Sequence, residues 1–247
     1  MALQSKLTLA AFIFLVLTGC SNIVPETHSV LVLYDVTGST HSALPPANKV
    51  VADISKIYNI SDDDAIEDFV YDGFDIGMTF FDELSGDRIK HKRFKPAKGS
   101  TATVNPIKRK RLLQKYLQSV KNMIARTLQN TPVNRQKSKI YSKLCKSLGK
   151  ISESDADTRH VVIYTDLLEN SELANFYDIA TLNQAAAEPV AFARRHFISS
   201  CALPDLDGVI VHLYPYRSAS TDTRINLAER FWVALLEDAG AEVEVDP

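Results

Sequence analysis

An apolar run, Val30-Leu-Val-Leu-Tyr34, stops at Asp35, and two hydroxyl side chains, Thr37 and Ser39, follow at alternate positions. A buried strand that delivers an acid and two alcohols to its C-terminal end is one way for an open α/β sheet to build an oxygen-lined cation site. The same residue types also cap turns, so the triplet alone leaves both uses open. A second run, His160-Val-Val-Ile-Tyr-Thr165, ends in the same manner at Asp166. If the two strands are neighbours in a parallel sheet, both carboxylates reach one rim. Between them, Lys98-Gly-Ser-Thr101-Ala-Thr103 offers a loop hydroxyl, with Thr101 the first choice and Thr103 the alternative. Asp35, Thr37, Ser39, Thr101 and Asp166 present only hard oxygen ligands, which suit Mg²⁺ or Mn²⁺ and not zinc.

The elements that would carry these residues alternate along the chain. A strand over Ser29 to Asp35 is followed by a helix around Asn48 to Tyr58 and a strand over Phe74 to Phe81. A turn at Ser85-Gly86-Asp87 leads into a charged strand from Arg88 to Lys95, which reads as the exposed arm of a hairpin. Asn105-Pro106 opens a helix whose stripe runs Ile107, Leu112, Leu113, Tyr116, Leu117, Val120 and Ile124. Thr131-Pro132 interrupts it, and a second helix spans Ser138 to Leu148 before Gly149. Helical segments from Leu173 to Phe197, a strand from Gly208 to Tyr214, a helix from Asn226 to Ala239 and a strand from Glu242 to Val245 complete the order. The expected fold is α/β and doubly wound, Rossmann-like: a mostly parallel six-stranded sheet with helices on both faces and one antiparallel edge strand.

The three segments resemble the metal-ion-dependent adhesion site of von Willebrand factor type A domains, in which an acid-hydroxyl-hydroxyl motif closes the first strand. The element order is similar to that family over nearly the whole chain after the N-terminal segment. The resemblance implies that Thr37 and Ser39 touch the metal, that Asp35 and Asp166 hydrogen-bond its waters, and that a partner's carboxylate completes the shell. Two positions depart from the family pattern: Thr37 stands where Ser is usual, and Leu167-Leu168-Glu169-Asn170 replaces the customary glycine after the second acid. Glu169 is therefore a competing ligand or cap.

Lys6 is the only charge before an eleven-residue apolar stretch, Leu7 to Leu17, too short to cross a bilayer comfortably. Leu17-Thr18-Gly19-Cys20 resembles the bacterial lipoprotein box, which implies a signal peptide over residues 1–19, lipidation at Cys20, a tether over 20–28 and one domain over 29–247. Ser21, where an Asp tends to signal inner-membrane retention in that family, favours the outer membrane. Cys145 and Cys201 remain, to pair in an oxidising compartment or to sit as two buried thiols.

The formal charge of −2 hides a segregated chain: Arg88 to Lys150 holds 19 Lys or Arg and none of the 30 acids. Lys108, Arg109, Lys110 and Arg111, with the outer faces of the two middle helices, would form a basic surface for anionic lipid or polysaccharide. Nucleic acid is not an expected partner, because aromatic residues are not interleaved with these charges. The functional expectation is a lipid-anchored envelope protein that binds a protein carboxylate through a divalent cation and is not an enzyme. The competing readings are a metal-dependent phosphate-ester hydrolase on the same oxygen site and a metal-free scaffold acting through the basic surface. Thr37, in the place where a haloacid-dehalogenase phosphatase needs its second Asp, counts against phosphoaspartyl chemistry.

Overall fold

In the computed structural model the described residues are 24–36, 45–58, 69–81, 89–98, 104–130, 137–216 and 223–245. Six strands form one sheet: β1 (Thr27–Asp35), β2 (Gly73–Phe81), β3 (Lys90–Phe94), β4 (Thr158–Thr165), β5 (Val209–Pro215) and β6 (Glu242–Val245). Their order across the sheet is β3-β2-β1-β4-β5-β6, with β3 antiparallel to β2 and every other pair parallel. This is the doubly wound α/β arrangement expected from the alternating elements. The order reverses direction between β1 and β4, the switch point at whose carboxyl-end rim open α/β sheets place their ligand crevices.

The two faces are built by strand alternation. Val30, Val32 and Tyr34 of β1 and Val162 and Tyr164 of β4 pack beneath α1 (Ala47–Ile57) and α2 (Pro106–Gln129). Leu31, Leu33, Val161, Ile163, Val211 and Leu213 pack on the other face, against α3 (Ile140–Ser152), α4 (Ile179–Ala187), α5 (Pro189–His196) and α6 (Thr223–Asp238). Each such side chain, fully buried, contributes roughly 1.5–3 kcal/mol of transfer free energy.

Helix boundaries depart from the sequence pattern where packing overrides it. The helix α3 runs straight through Gly149 to Ser152, because Leu148 and Ile151 on either side are both buried. Their burial outweighs the roughly 1 kcal/mol that a helical glycine costs. The stretch expected to be helical from Leu173 begins as a loop, and α4 starts only after Asp178, whose carboxylate accepts the Thr181 N–H at 3.0 Å as an N-cap. Pro189 then separates α4 from α5. Of the stripe read on α2, Leu113, Tyr116, Val120 and Ile124 are buried, whereas Ile107 and Leu112 stand exposed.

Cys145 and Cys201 form a disulfide that joins α3 to the segment after α5. Among the described residues no helix is long and apolar enough to cross a membrane. The signal segment, Cys20, the 85–87 turn and Thr131-Pro132 lie outside the described residues.

Candidate functional site

The carboxylates of Asp35 and Asp166 reach the same rim because β1 and β4 pair in parallel with Tyr34 opposite Tyr164, so both chains leave the sheet together at the switch point. Asp35 is completely buried. Its Oδ2 accepts two hydroxyl hydrogen bonds, from Thr165 Oγ1 at 2.9 Å and Ser138 Oγ at 3.0 Å. A buried carboxylate costs several kcal/mol of solvation unless it is met in this way.

Ser138 comes from the connection between α2 and α3, more than a hundred residues from Asp35 in sequence. The chain after β4 pins this connection in place. The Asn170 N–H donates to the Ser138 carbonyl at 2.9 Å, and the Tyr141 N–H in the first turn of α3 donates to Glu169 Oε2 at 2.8 Å. Lys137 and Lys139 close on the Glu172 carboxylate at 2.7 and 3.2 Å. Ser138 is thus the loop hydroxyl that the described residues bring to Asp35. The sequence reading assigned it to a helix start; the available signal was a hydroxyl beside two lysines, with Lys139 taking the cap position and making no side-chain cap bond.

Asp166 turns back on its own loop: Oδ1 accepts the Leu168 N–H at 3.0 Å and Oδ2 accepts the Tyr177 hydroxyl at 3.2 Å. Between them Leu167 adopts φ 63°, the left-handed region where glycine is usual. The chain thus makes this turn without a glycine. The Leu167 N–H donates to Thr165 Oγ1 at 3.0 Å, Trp232 Nε1 donates to the Leu167 carbonyl at 2.9 Å, and the leucine side chain is buried in the core. The surrounding contacts offset the roughly 1–2 kcal/mol of strain.

Glu169 is also fully buried, and its use as a cap on the α3 N-terminus places a carboxylate where the helix dipole favours it. Burial nevertheless pushes its pKa up to about 7, with the charge of Asp35 adding to the rise and the hydrogen bonds it accepts opposing it. The Tyr216 phenol is raised far above its usual range by burial and by the neighbouring Tyr34, Asp35 and Asp166. Its N–H is held by the Thr165 carbonyl at 2.8 Å, and its hydroxyl is buried with no partner among the described residues. Beside the rim, Tyr34, Tyr164 and Tyr214 stack across three strands at centroid distances of 5.0 and 4.9 Å, and Tyr164 donates to Asp53 Oδ2.

Thr37, Ser39, Thr101 and Thr103 lie outside the described residues. Of the sequence-derived ligand set, Asp35 and Asp166 are the described residues, each at or just beyond the end of its strand on one rim of the sheet. Asp35, met by Ser138 and Thr165, and Asp166, met by the Tyr177 hydroxyl, offer carboxylate and hydroxyl oxygens, the donor class that a hard divalent cation takes. No group of three or more His, Cys, Asp or Glu suited to a metal occurs among the described residues, so acids and histidines alone do not make a site there.

The basic residues divide differently from the sequence reading. The helices α2 and α3 lie on opposite faces of the sheet, so their outer faces do not make one surface. Arg109 turns inward: Nε donates to the Val70 carbonyl at 2.9 Å, Nη2 donates to the Asp72 and Lys95 carbonyls at 3.1 Å each, and the guanidinium stacks on Phe94 at 4.1 Å. Lys108 and Arg111 are exposed and Lys110 is half-buried.

No family model matches the chain, and no curated protein is similar to it. Among solved structures, the PilB minor pilin from Streptococcus sanguinis is 10% identical, with 90% of this chain and 57% of that one covered at a TM-score of 0.44. An aerotolerance-related membrane protein from Bacteroides fragilis is 15% identical, with 89% and 92% covered at a TM-score of 0.34. The pilus adhesin SpaC from Lactobacillus rhamnosus GG is 11% identical, with 92% and 29% covered at 0.38. The chain thus spans less than two thirds of the length of the pilin.

Proposed function

We propose that this chain is a lipid-anchored protein of a bacterial cell envelope whose von Willebrand type A-like domain binds a carboxylate of a partner protein through Mg²⁺ or Mn²⁺ at the Asp35 rim. The observation that carries the reading is Asp35, met by the Ser138 and Thr165 hydroxyls at the end of β1, on the rim where β4 also ends just before Asp166. Thr37 and Ser39 follow directly on Asp35 and belong to the same ligand set. A divalent cation held there would supply an electrophilic centre for an anionic oxygen, since neutral hydroxyls do little to neutralise its charge. The protein's own residues do the positioning: Ser138 and Thr165 orient Asp35, and the Leu168 N–H and Tyr177 hydroxyl hold Asp166. The apolar segment and Cys20 at the N-terminus support the envelope location, and the role assigned is binding without turnover.

Thermal unfolding of the chelator-treated protein against rising magnesium tests the reading. At a hundredfold excess over Kd the native state gains about 2.7 kcal/mol, which for a chain of this size raises Tm by roughly 5–10 °C. Asp35→Asn, which keeps an oxygen for Ser138 and Thr165 but removes the charge, loses that rise. An equal magnesium response in wild type and variant contradicts the assignment.

A further inference from the structure

The end of the sheet opposite the Asp35 rim is where the chain enters, and one side of it carries an unusual surface. The first turn of α2 shares a short turn, Val70 to Gly73, with the entering segment. The Glu26 N–H donates to Asp72 Oδ1 at 2.9 Å, the Gly73 N–H donates to the Glu26 carbonyl at 2.8 Å, and Arg109 binds the carbonyls of Val70 and Asp72 from the other side. The start of α2 therefore sits beside residue 26. Around its outer face stand Ile107 and Leu112, 65% and 42% exposed, with Lys108, Arg111 and Lys115 between and beside them. Two exposed aliphatic side chains with cations between them are what an anionic bilayer surface accepts: methyl groups enter the headgroup boundary and the charges meet lipid phosphates. A hydrated polysaccharide would offer nothing to Ile107 and Leu112.

We infer that the N-terminal half of α2 is a membrane-docking face that lays this end of the domain on anionic lipid and points the Asp35 rim away from the bilayer. The inference rests on the lipid-anchor reading for its geometry. Six Cα steps separate Cys20 from Glu26, a reach of at most about 22 Å, so a lipid at Cys20 holds this end at the surface. Thr27 and Asp35 are eight steps apart along β1, which puts the rim about 26 Å farther out. Acids at this end limit the contact to one side. Asp75, held by Arg93 and His91, alternates with Phe74 and Ile76 and so faces away from α2, and Asp157 is held by the Thr27 N–H and hydroxyl; Glu26 stands beside the start of α2. The α2 side, by contrast, carries no acid from Pro106 to Gln129. The docked domain thus tilts onto α2 and leaves the β4 side raised.

The test uses the full chain on vesicles of phosphatidylcholine alone or with about a third phosphatidylglycerol, some of the lipid brominated in its acyl chains. An environment-sensitive fluorophore is placed at Leu112→Cys, or at Lys146→Cys on the exposed side of α3 as the control. The expected result is quenching at position 112 on phosphatidylglycerol vesicles only, with position 146 unaffected. Lys108→Glu with Arg111→Glu, or salt well above physiological strength, removes it; near an anionic surface each cation is worth about fivefold in binding, so the double reversal weakens docking at least about twentyfold. Equal quenching at 112 with and without anionic lipid, or quenching at 146 instead, overturns the inference. Flotation on neutral vesicles reads the anchor separately. A chain that fails to float there fails the anchor reading, while its charge-dependent binding to anionic vesicles still decides the role of α2.

Discussion

Glu169 gives the structure a pH dependence that can be worked out in advance. Its carboxyl is fully buried, and its pKa rises from 4.5 to about 7, chiefly through burial. At 1.36 kcal/mol per unit, the difference between folded and unfolded states amounts to about 3 kcal/mol. The sign follows from proton binding. Between pH 4.5 and 7 the native protein keeps the proton that the unfolded chain has released, so this group lowers stability as pH rises through the window. Below it the group contributes no penalty, and above it the full cost applies. Glu169→Gln removes the titration and retains an oxygen to accept the Tyr141 N–H that starts α3. Urea unfolding of wild type and variant in chelator-containing buffers from pH 4 to 8 should show their stability difference moving by about 3 kcal/mol in favour of the variant, mostly between pH 5 and 7. Parallel profiles across that range would refute the assignment of a buried, neutralised carboxyl at this position.

Three further perturbations test the packing away from the rim. Gly240→Ala should cost about 1–2 kcal/mol in urea unfolding, because φ is +97° there and an added Cβ would lie 3.2 Å from the Asp207 nitrogen. Replacing Cys145 and Cys201 by serine removes a link across 56 residues and should lower stability by about 2–4 kcal/mol; a variant as stable as the oxidised wild type contradicts that. Arg109→Lys keeps the charge but loses the fork that binds three carbonyls and the Phe94 stack. It should lower stability by about 2 kcal/mol, where a surface cation would show almost no change.

The strands were legible because a parallel sheet buried on both faces demands short runs of β-branched and aromatic residues, and Val30–Tyr34 and Val161–Tyr164 supply them with an acid at each end. That Asp35 and Asp166 end on one rim followed from that pattern once β1 and β4 proved to be parallel neighbours. The contact of Ser138 with Asp35 was not legible. Ser138 reaches Asp35 only because α3 crosses to the face opposite α2, and helical periodicity says which stripe is apolar but not which side of a sheet it covers. The same ambiguity made one basic surface out of two helices that lie back to back across the sheet. Arg109 and Leu167 were hidden for a different reason. A guanidinium that binds distant carbonyls and a leucine held in the left-handed region both depend on contacts tens of residues away, which no local pattern encodes.

Crystals grown with manganese, measured at its absorption edge, test the central claim most directly. The account predicts an anomalous peak at the β1–β4 rim, about 2.1 Å from hydroxyl oxygens that follow Asp35 and water-bridged to Asp35 and Asp166. It also predicts a free coordination position facing solvent. Anomalous maps from saturated crystals with no peak at that rim, or with manganese held only elsewhere on the molecule, would contradict it.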